Sequence, residues 1–270
     1  MSINYFGGIK LTDEALLAKL KRPHFLYKNI VTYDNVTASS SAADFPALSL
    51  ANPLTAERWK PTVMDATVTV DAGALVNVDA VGIASHSLHL NASTVTIEAS
   101  IHGTSWDTIK SFAPSNGRPL LAIFDKVTYR YFRLTVSGAT APSIGALFIG
   151  EALVMPQGIY GGHTPITMGR QAKRITNKTE GGQFAGNSVV HLGVKTSFSL
   201  KHLKAAWYRE FFEPFAKYLT SGAPFFAAWR PSDYPDEVGY CWPEGDVTPQ
   251  NTGVKDFMEV DLSVSGYSDE

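Results

Sequence analysis

The chain has a single cysteine, Cys241, among its 270 residues. One thiol excludes an internal disulfide and any cysteine-cluster metal site. No apolar run approaches the ~18 residues that a membrane-spanning helix needs. The opening "MSINYFGGIKLTDEALLAKLKRPHF" lacks a basic stretch followed by an apolar core. No signal peptide is therefore expected, and synthesis in a reducing cytoplasm is. A net charge of −2 lacks the basic excess on which nucleic-acid binding depends. With 18% charged and 44% hydrophobic residues the chain is far from the disordered regime.

Catalytic signatures are equally scarce. The glycine pairs at Gly161-Gly162 and Gly181-Gly182 lack the lysine and hydroxyl of a phosphate loop. No serine stands in a Gly-x-Ser-x-Gly elbow. His86 and His89 lie three apart with no third ligand nearby in sequence, which argues against zinc. The stretch "PSDYPDEVGYCWPEGD" sets Asp233, Asp236, Glu237, Glu244 and Asp246 beside Tyr234, Tyr240 and Trp242. Paired carboxylates among aromatics are a glycosidase vocabulary. The same composition describes a solvated loop between strands, and no partner motif fixes a geometry. No enzyme is expected.

What is present is β-pattern. Residues 1–28 read as an N-terminal arm, with Thr12-Asp13-Glu14 capping a short helix that Pro23 stops. From Asn29 to Val154 short alternating runs follow one another between Gly, Pro, Asn and Ser. "DATVTVDAG" alternates Val68 and Val70 against Thr67, Thr69 and Asp71, and should end at Gly73. "STVTIEASI" and "YRYFRLTVSG" alternate in the same way. "SIHGTSW" places a glycine in a polar tetrad before Trp106, a hairpin signal. Strands at this spacing without a helix predict an antiparallel sandwich or jelly roll over 29–154.

The order of these pieces resembles the discoidin-type (galactose-binding-like) domain. "VTASSS" at Val36–Ser41, "LANPLTAERW" at Leu50–Trp59, "VTVDAGALVNVDAVGI" at Val68–Ile83, "SIHGTSW", "YRYFRLTVSG" and "IGALFIGEAL" follow that family's sequence of motifs. The resemblance implies that Trp106 is laid over the sandwich end to close the core. It also implies a ligand end where an aromatic stacks on a sugar face and polar side chains take hydroxyls. The matching positions are Arg58 and Trp59, His86 and Asn91, and Arg130. Trp59 has two readings, a sugar platform or a core aromatic, and its residue type favours the core. Many such domains hold Ca²⁺ with a loop Asp and a late Glu. Glu151 supplies the latter, but "NPLTAER" has no Asp where the former belongs, so calcium is not expected.

From residue 155 the character changes. "MPQGIYGGHTP" reads as a linker. "SVVHLGVKTSFSL" then alternates as a long strand, and "KHLKAAWYREFFEPFAKYLTSG" carries Leu203, Ala206, Trp207, Phe211 and Phe215 at helical spacing. Pro214 should kink this helix or start another. "APFFAAW", "VGYCW" and "DFMEVDLSVSGY" read as strands, giving an α+β domain over 155–270. This arrangement resembles the tail-tube-like fold of distal tail or baseplate hub proteins of long-tailed phages. The expected class is thus mainly β, a discoidin-type jelly-roll sandwich followed by a tail-tube-like α+β domain. The resemblance implies a virion protein of the tail, forming a cyclic ring (a hexamer), contacting tube, hub and fibre proteins, and displaying a sandwich toward host-surface glycan. Trp207, Phe211, Met258, Val260 and Leu262 are the expected subunit contacts. The alternative is a carbohydrate-binding, lectin-like protein or a module attached to a glycan-active system.

Overall fold

A computed structural model describes residues 4–5, 9–10, 14–253 and 255–268, with side chains placed from residue 17 onward except at Asn91. A helix spans Glu14–Lys19, and the Arg22 N–H donates to the Lys19 carbonyl at 2.9 Å just before Pro23. Thr12 and Asp13, expected to cap it, lie outside the described residues.

Two long antiparallel strands, Ala66–His86 and Leu120–Ser137, organise the expected sandwich. Each runs through both of its layers. In the outer layer, Val68–Val70 pair with Val36–Ala38, and Thr94–Ser100 pair with the end of Leu120–Ser137. Asp107–Phe112 completes that layer through the hairpin that "SIHGTSW" predicted, with Gly103 at φ +75°. In the middle layer, residues 80–86 pair with Ile144–Gly150 on one side and 120–123 on the other. Val68, Val70, Ile97, Phe132 and Leu134 meet Val81, Ile83, Phe124, Leu147 and Ile149 between the layers. These are the apolar positions of the period-two pattern, which is why the sandwich was readable.

Gly73 does not end its strand as expected. It takes φ +75°, Asp71 Oδ1 accepts its N–H at 2.8 Å, and pairing lapses after Asp71 and resumes at Val76. A residue without Cβ makes this bend without steric cost, so one strand passes from the outer to the middle layer.

A third sheet runs in the order Leu153–Val154, His24–Leu26, Phe225–Ala228, Val238–Pro243, Phe257–Gly266, Phe184–Lys204, Arg170–Lys178. His24–Leu26, at the end of the segment expected to be a separate arm, is thus an interior strand of this sheet. The expected linker is also packed. Met155 is fully buried and donates its N–H to the Pro23 carbonyl, and the Tyr160 N–H donates to Ser199.

Alternation along Phe225–Ala228 gives this sheet two buried faces. Phe225 and Ala227 join Phe198, Leu200, Val260, Leu262 and the helical Phe215 on one side. Phe226 and Ala228, with Tyr240, meet Ala80, Leu121, Ile123 and Phe148 of the middle layer on the other. The helical segment runs as Ala205–Trp207, a π turn over Tyr208–Phe212, and Glu213–Leu219, with Pro214 in the first turn of the last piece. The backbone is already helical at Trp207, Tyr208, Phe212 and Glu213, so Pro214, which has no N–H for the preceding turn, follows directly on the π turn without breaking the helical run.

This packing corrects part of the expected assembly surface. Val260 and Leu262 are 2% and 1% exposed and fill the protein's own core, so a neighbouring subunit cannot reach them. Met258 is half-buried against the same core. Trp207 and Phe211 do face outward, ring on ring, with centroids 5.8 Å apart at 29°. The sequence reading missed the strand Arg170–Lys178 and its ribbon with the first half of Phe184–Lys204. There Ile175, Phe184, Val189 and Val190 are all more than half exposed.

Candidate functional site

Four loops meet at the end of the sandwich away from Gly73: residues 39–65, 87–93, 113–119 and 138–143. Hydrogen bonds tie them together. Trp59 exchanges both backbone bonds with Ile144, at 2.7 and 2.9 Å. His86, the residue paired with Ile144 in the strand ladder, bonds through Nε2 to the Arg118 carbonyl at 3.0 Å. Ser87 Oγ accepts the Ser143 N–H at 2.9 Å, and Ser85 Oγ donates to Thr55 at 2.8 Å. The loop end is therefore braced before any ligand arrives.

The expected site residues divide. Trp59 is fully buried, and its indole N–H lies 3.1 Å from both the Ser40 carbonyl and Ser41 Oγ. Its face is covered by the core, which rules out a sugar platform and leaves the core reading. His86 is 5% exposed and spent on bracing the 113–119 loop. Arg130 lies at the opposite end, where it makes two bonds of 2.7 and 2.8 Å to Asp71. That pairing holds the Asp71 carboxyl down at about 2, first through the Arg130 bonds and then through the Gly73 N–H. Asn91 belongs to the short 3₁₀ turn Leu88–Asn91 at the loop end. Arg58, half-buried beside Trp59, is the expected residue that the structure keeps at this end and leaves without an acceptor among the described residues.

Other side chains at this end are less buried than Trp59. Phe45 is 38% exposed on the 39–65 loop, anchored by its backbone to Ala42 and Lys60. His89 stands 6.3 Å from His86, ring to ring, and its Nδ1 is buried without a partner. Phe45 gave no sequence signal, because "DFP" lies outside the alternating runs. The clefts beside the 113–119 loop hold only about 10 and 30 Å³, so a ligand here would rest on the surface.

One further expectation changes. Trp106 lies outside the sandwich core, half-buried, with the Arg133 guanidinium 4.1 Å above its ring. Arg133 in turn grips Glu98 through two bonds of 2.9 Å. The sheet's outer face thus holds Trp106, because Val95, Ile97 and Phe132 already fill the inner one. Glu151 contacts Lys126 and lies 3.9 Å from Lys28, a setting that repels a cation. The acidic stretch 233–246 is braced as well. Arg230 pairs with Asp233, the Trp229 indole N–H donates to Glu237, and Trp229 stacks on Tyr234 with centroids 5.1 Å apart.

Residues 35–147 match the F5/8 type C domain family, the discoidin-type domain, and take in five of the six motifs and the start of the last. No curated protein matches the chain. Among solved structures, chitosan-binding module 1 from a Paenibacillus sp. IK-5 chitosanase/glucanase is 21% identical over 46% of this chain and 100% of that one, with TM-score 0.40. A CBM32 module from Clostridium perfringens, in complex with GalNAc-β-1,3-galactose, is 15% identical over 43% and 94%, with TM-score 0.39. The CBM32 of AlyQ, in complex with 4,5-unsaturated mannuronic acid, is 22% identical over 46% and 96%, with TM-score 0.39. None of these matches concerns a phage tail or baseplate, and the expected likeness of the second domain to a tail-tube fold gains no support from them.

Proposed function

We propose that the protein binds carbohydrate through the loop end of its discoidin-type sandwich. The family match over 35–147 carries this reading, together with a loop end braced by main-chain bonds around Arg58. Phe45 offers the apolar face for a sugar ring, and the half-buried Arg58 and His89 offer hydrogen bonds to hydroxyls, His89 through Nε2 because its Nδ1 is buried. The surface is shallow, so one copy binds in the region of 1 mM, about −4 kcal/mol. Glycan-array screening of the intact chain tests this. The expected result is a defined set of glycans retained by the wild type and lost in Arg58→Ala; an array without hits contradicts it.

A second reading, the ring-forming virion component, rests on one observation. The ribbon of Arg170–Lys178 with residues 184–194 leaves Ile175, Phe184, Val189 and Val190 in water, as an edge awaiting a partner would. Mass measurement in solution decides it: a closed oligomer supports the reading and a monomer at all concentrations removes it.

A further inference from the structure

A cleft among the described residues lies away from the loop end. It holds about 420 Å³, within the roughly 300–1,000 Å³ range of small-molecule sites. The sandwich lines it at Asp79 and at Ile123–Lys126 of the long strand, and the helical segment lines it at Trp207 and Phe211. Neither body contains this cleft by itself.

We infer that this cleft is a second saccharide site, specific for a neutral mono- or disaccharide. Trp207 and Phe211 are one helical turn apart and stack at 5.8 Å, forming a continuous aromatic strip. Phe211 remains 45% exposed. Trp207 is half-buried and packed against the core of the third sheet, so the strip is anchored rather than loose. Such strips take the C–H face of a sugar ring.

The polar lining decides the ligand class. Carboxylates (Asp79, Asp125, Glu151, Glu210) and ammoniums (Lys19, Lys28, Lys126) border the same space. Glu151 is already taken up by Lys126 and Lys28. One oxygen of Asp79 accepts the Ala152 N–H at 2.8 Å. A phosphate or polyanion would meet the carboxylates, and a polyamine would meet the lysines. A polyhydroxylated neutral ligand uses donors and acceptors alike and leaves no charge unmatched. The two sites together would let one chain engage two points of a glycan, raising apparent affinity through effective concentration.

The inference stands on residues that the loop-end reading does not use, so the two can fail separately. The test titrates the intact chain with lactose, cellobiose and N,N′-diacetylchitobiose while following the Trp207 indole N–H signal, identified by its loss in Trp207→Phe. At least one disaccharide should shift that signal saturably below about 10 mM. Measured by calorimetry, since neither Trp207 variant carries the indole signal, Trp207→Ala should weaken that ligand at least about tenfold, Trp207→Phe should retain most of the affinity, and Arg58→Ala should leave it unchanged. No shift with any of the three, or full affinity in Trp207→Ala, overturns the cleft. A Trp207 shift abolished by Arg58→Ala overturns it also, since binding would then belong to the loop end.

Discussion

Gly82 lies directly beneath Phe226: a Cβ at residue 82 would come within 2.6 Å of two ring carbons. The contact joins the sandwich's middle layer to the third sheet, with Ala80, Ala84 and Ala146 packed around it. Small residues on one sheet and a phenylalanine on the other let the two backbones approach and fuse the halves into one core.

Gly82→Ala should therefore destabilise the chain by about 1–3 kcal/mol, the usual cost of overpacking. Phe226→Ala alone should cost about 3–5 kcal/mol. In the double variant the losses should fall short of additive by at least about 0.5 kcal/mol, because the missing ring makes room for the methyl. Denaturant unfolding of the four proteins measures this, and strict additivity would show that the contact is not made.

The same core bears on an isolated sandwich. A fragment covering 29–154 would expose Leu121, Ile123 and Phe148, which are 1%, 3% and 4% exposed in the intact chain. It should be less stable than the whole protein and should bind a hydrophobic dye that the intact chain does not. A fragment as stable as the parent and silent to the dye would mean that the halves merely touch.

Much of this was legible. Val68, Val70, Ile97 and Leu134 alternate with polar residues, because one face of their strands is wet, and period two shows at once. The continuous run "FFAA" at Phe225–Ala228 read as a strand, but nothing local says that Phe226 faces the other domain. The ribbon at Arg170–Lys178 was invisible for the opposite reason: with neither face buried, no apolar period exists to detect. At the loop end the family pattern brought Arg58, Trp59 and His86 together, and residue type already favoured the core for Trp59, as its burial shows; that His86 turns inward to the Arg118 carbonyl is set by tertiary packing and has no local signal.

Trp59→Phe removes the indole N–H shared by Ser40 and Ser41. It should cost about 1–2 kcal/mol of stability, from the lost bond and the smaller ring. Glycan binding should be unchanged where the fold persists. Thermal unfolding and a repeat of the glycan screen check the pair, and a selective loss of binding would return Trp59 to the site.

Asp79 sets a pH dependence. Burial, with the nearby Glu151 adding to it, raises its carboxyl from 3.8 to about 6, against the opposing bond from Ala152 N–H. The folded chain therefore holds a proton that the unfolded chain releases. The stability this contributes is full below about pH 4 and is lost as pH rises through about 6. Asp79→Asn should match the wild type near pH 4 and exceed it near pH 8, by on the order of 2 kcal/mol. Unfolding curves across that range test it; a variant equally destabilised at every pH would contradict it.

The central claim is that sugar is bound by the loop end, and mapping the contact by amide chemical shifts tests it most directly. The intact chain would be titrated with the strongest array ligand, and every shifted amide placed on the structure. The account predicts saturable shifts concentrated in 39–65 and 87–93, around Phe45, Arg58 and His89, that disappear in Arg58→Ala. Shifts confined to the opposite end, around Asp71 and Arg130, with Arg58→Ala binding as tightly as the wild type, would contradict it.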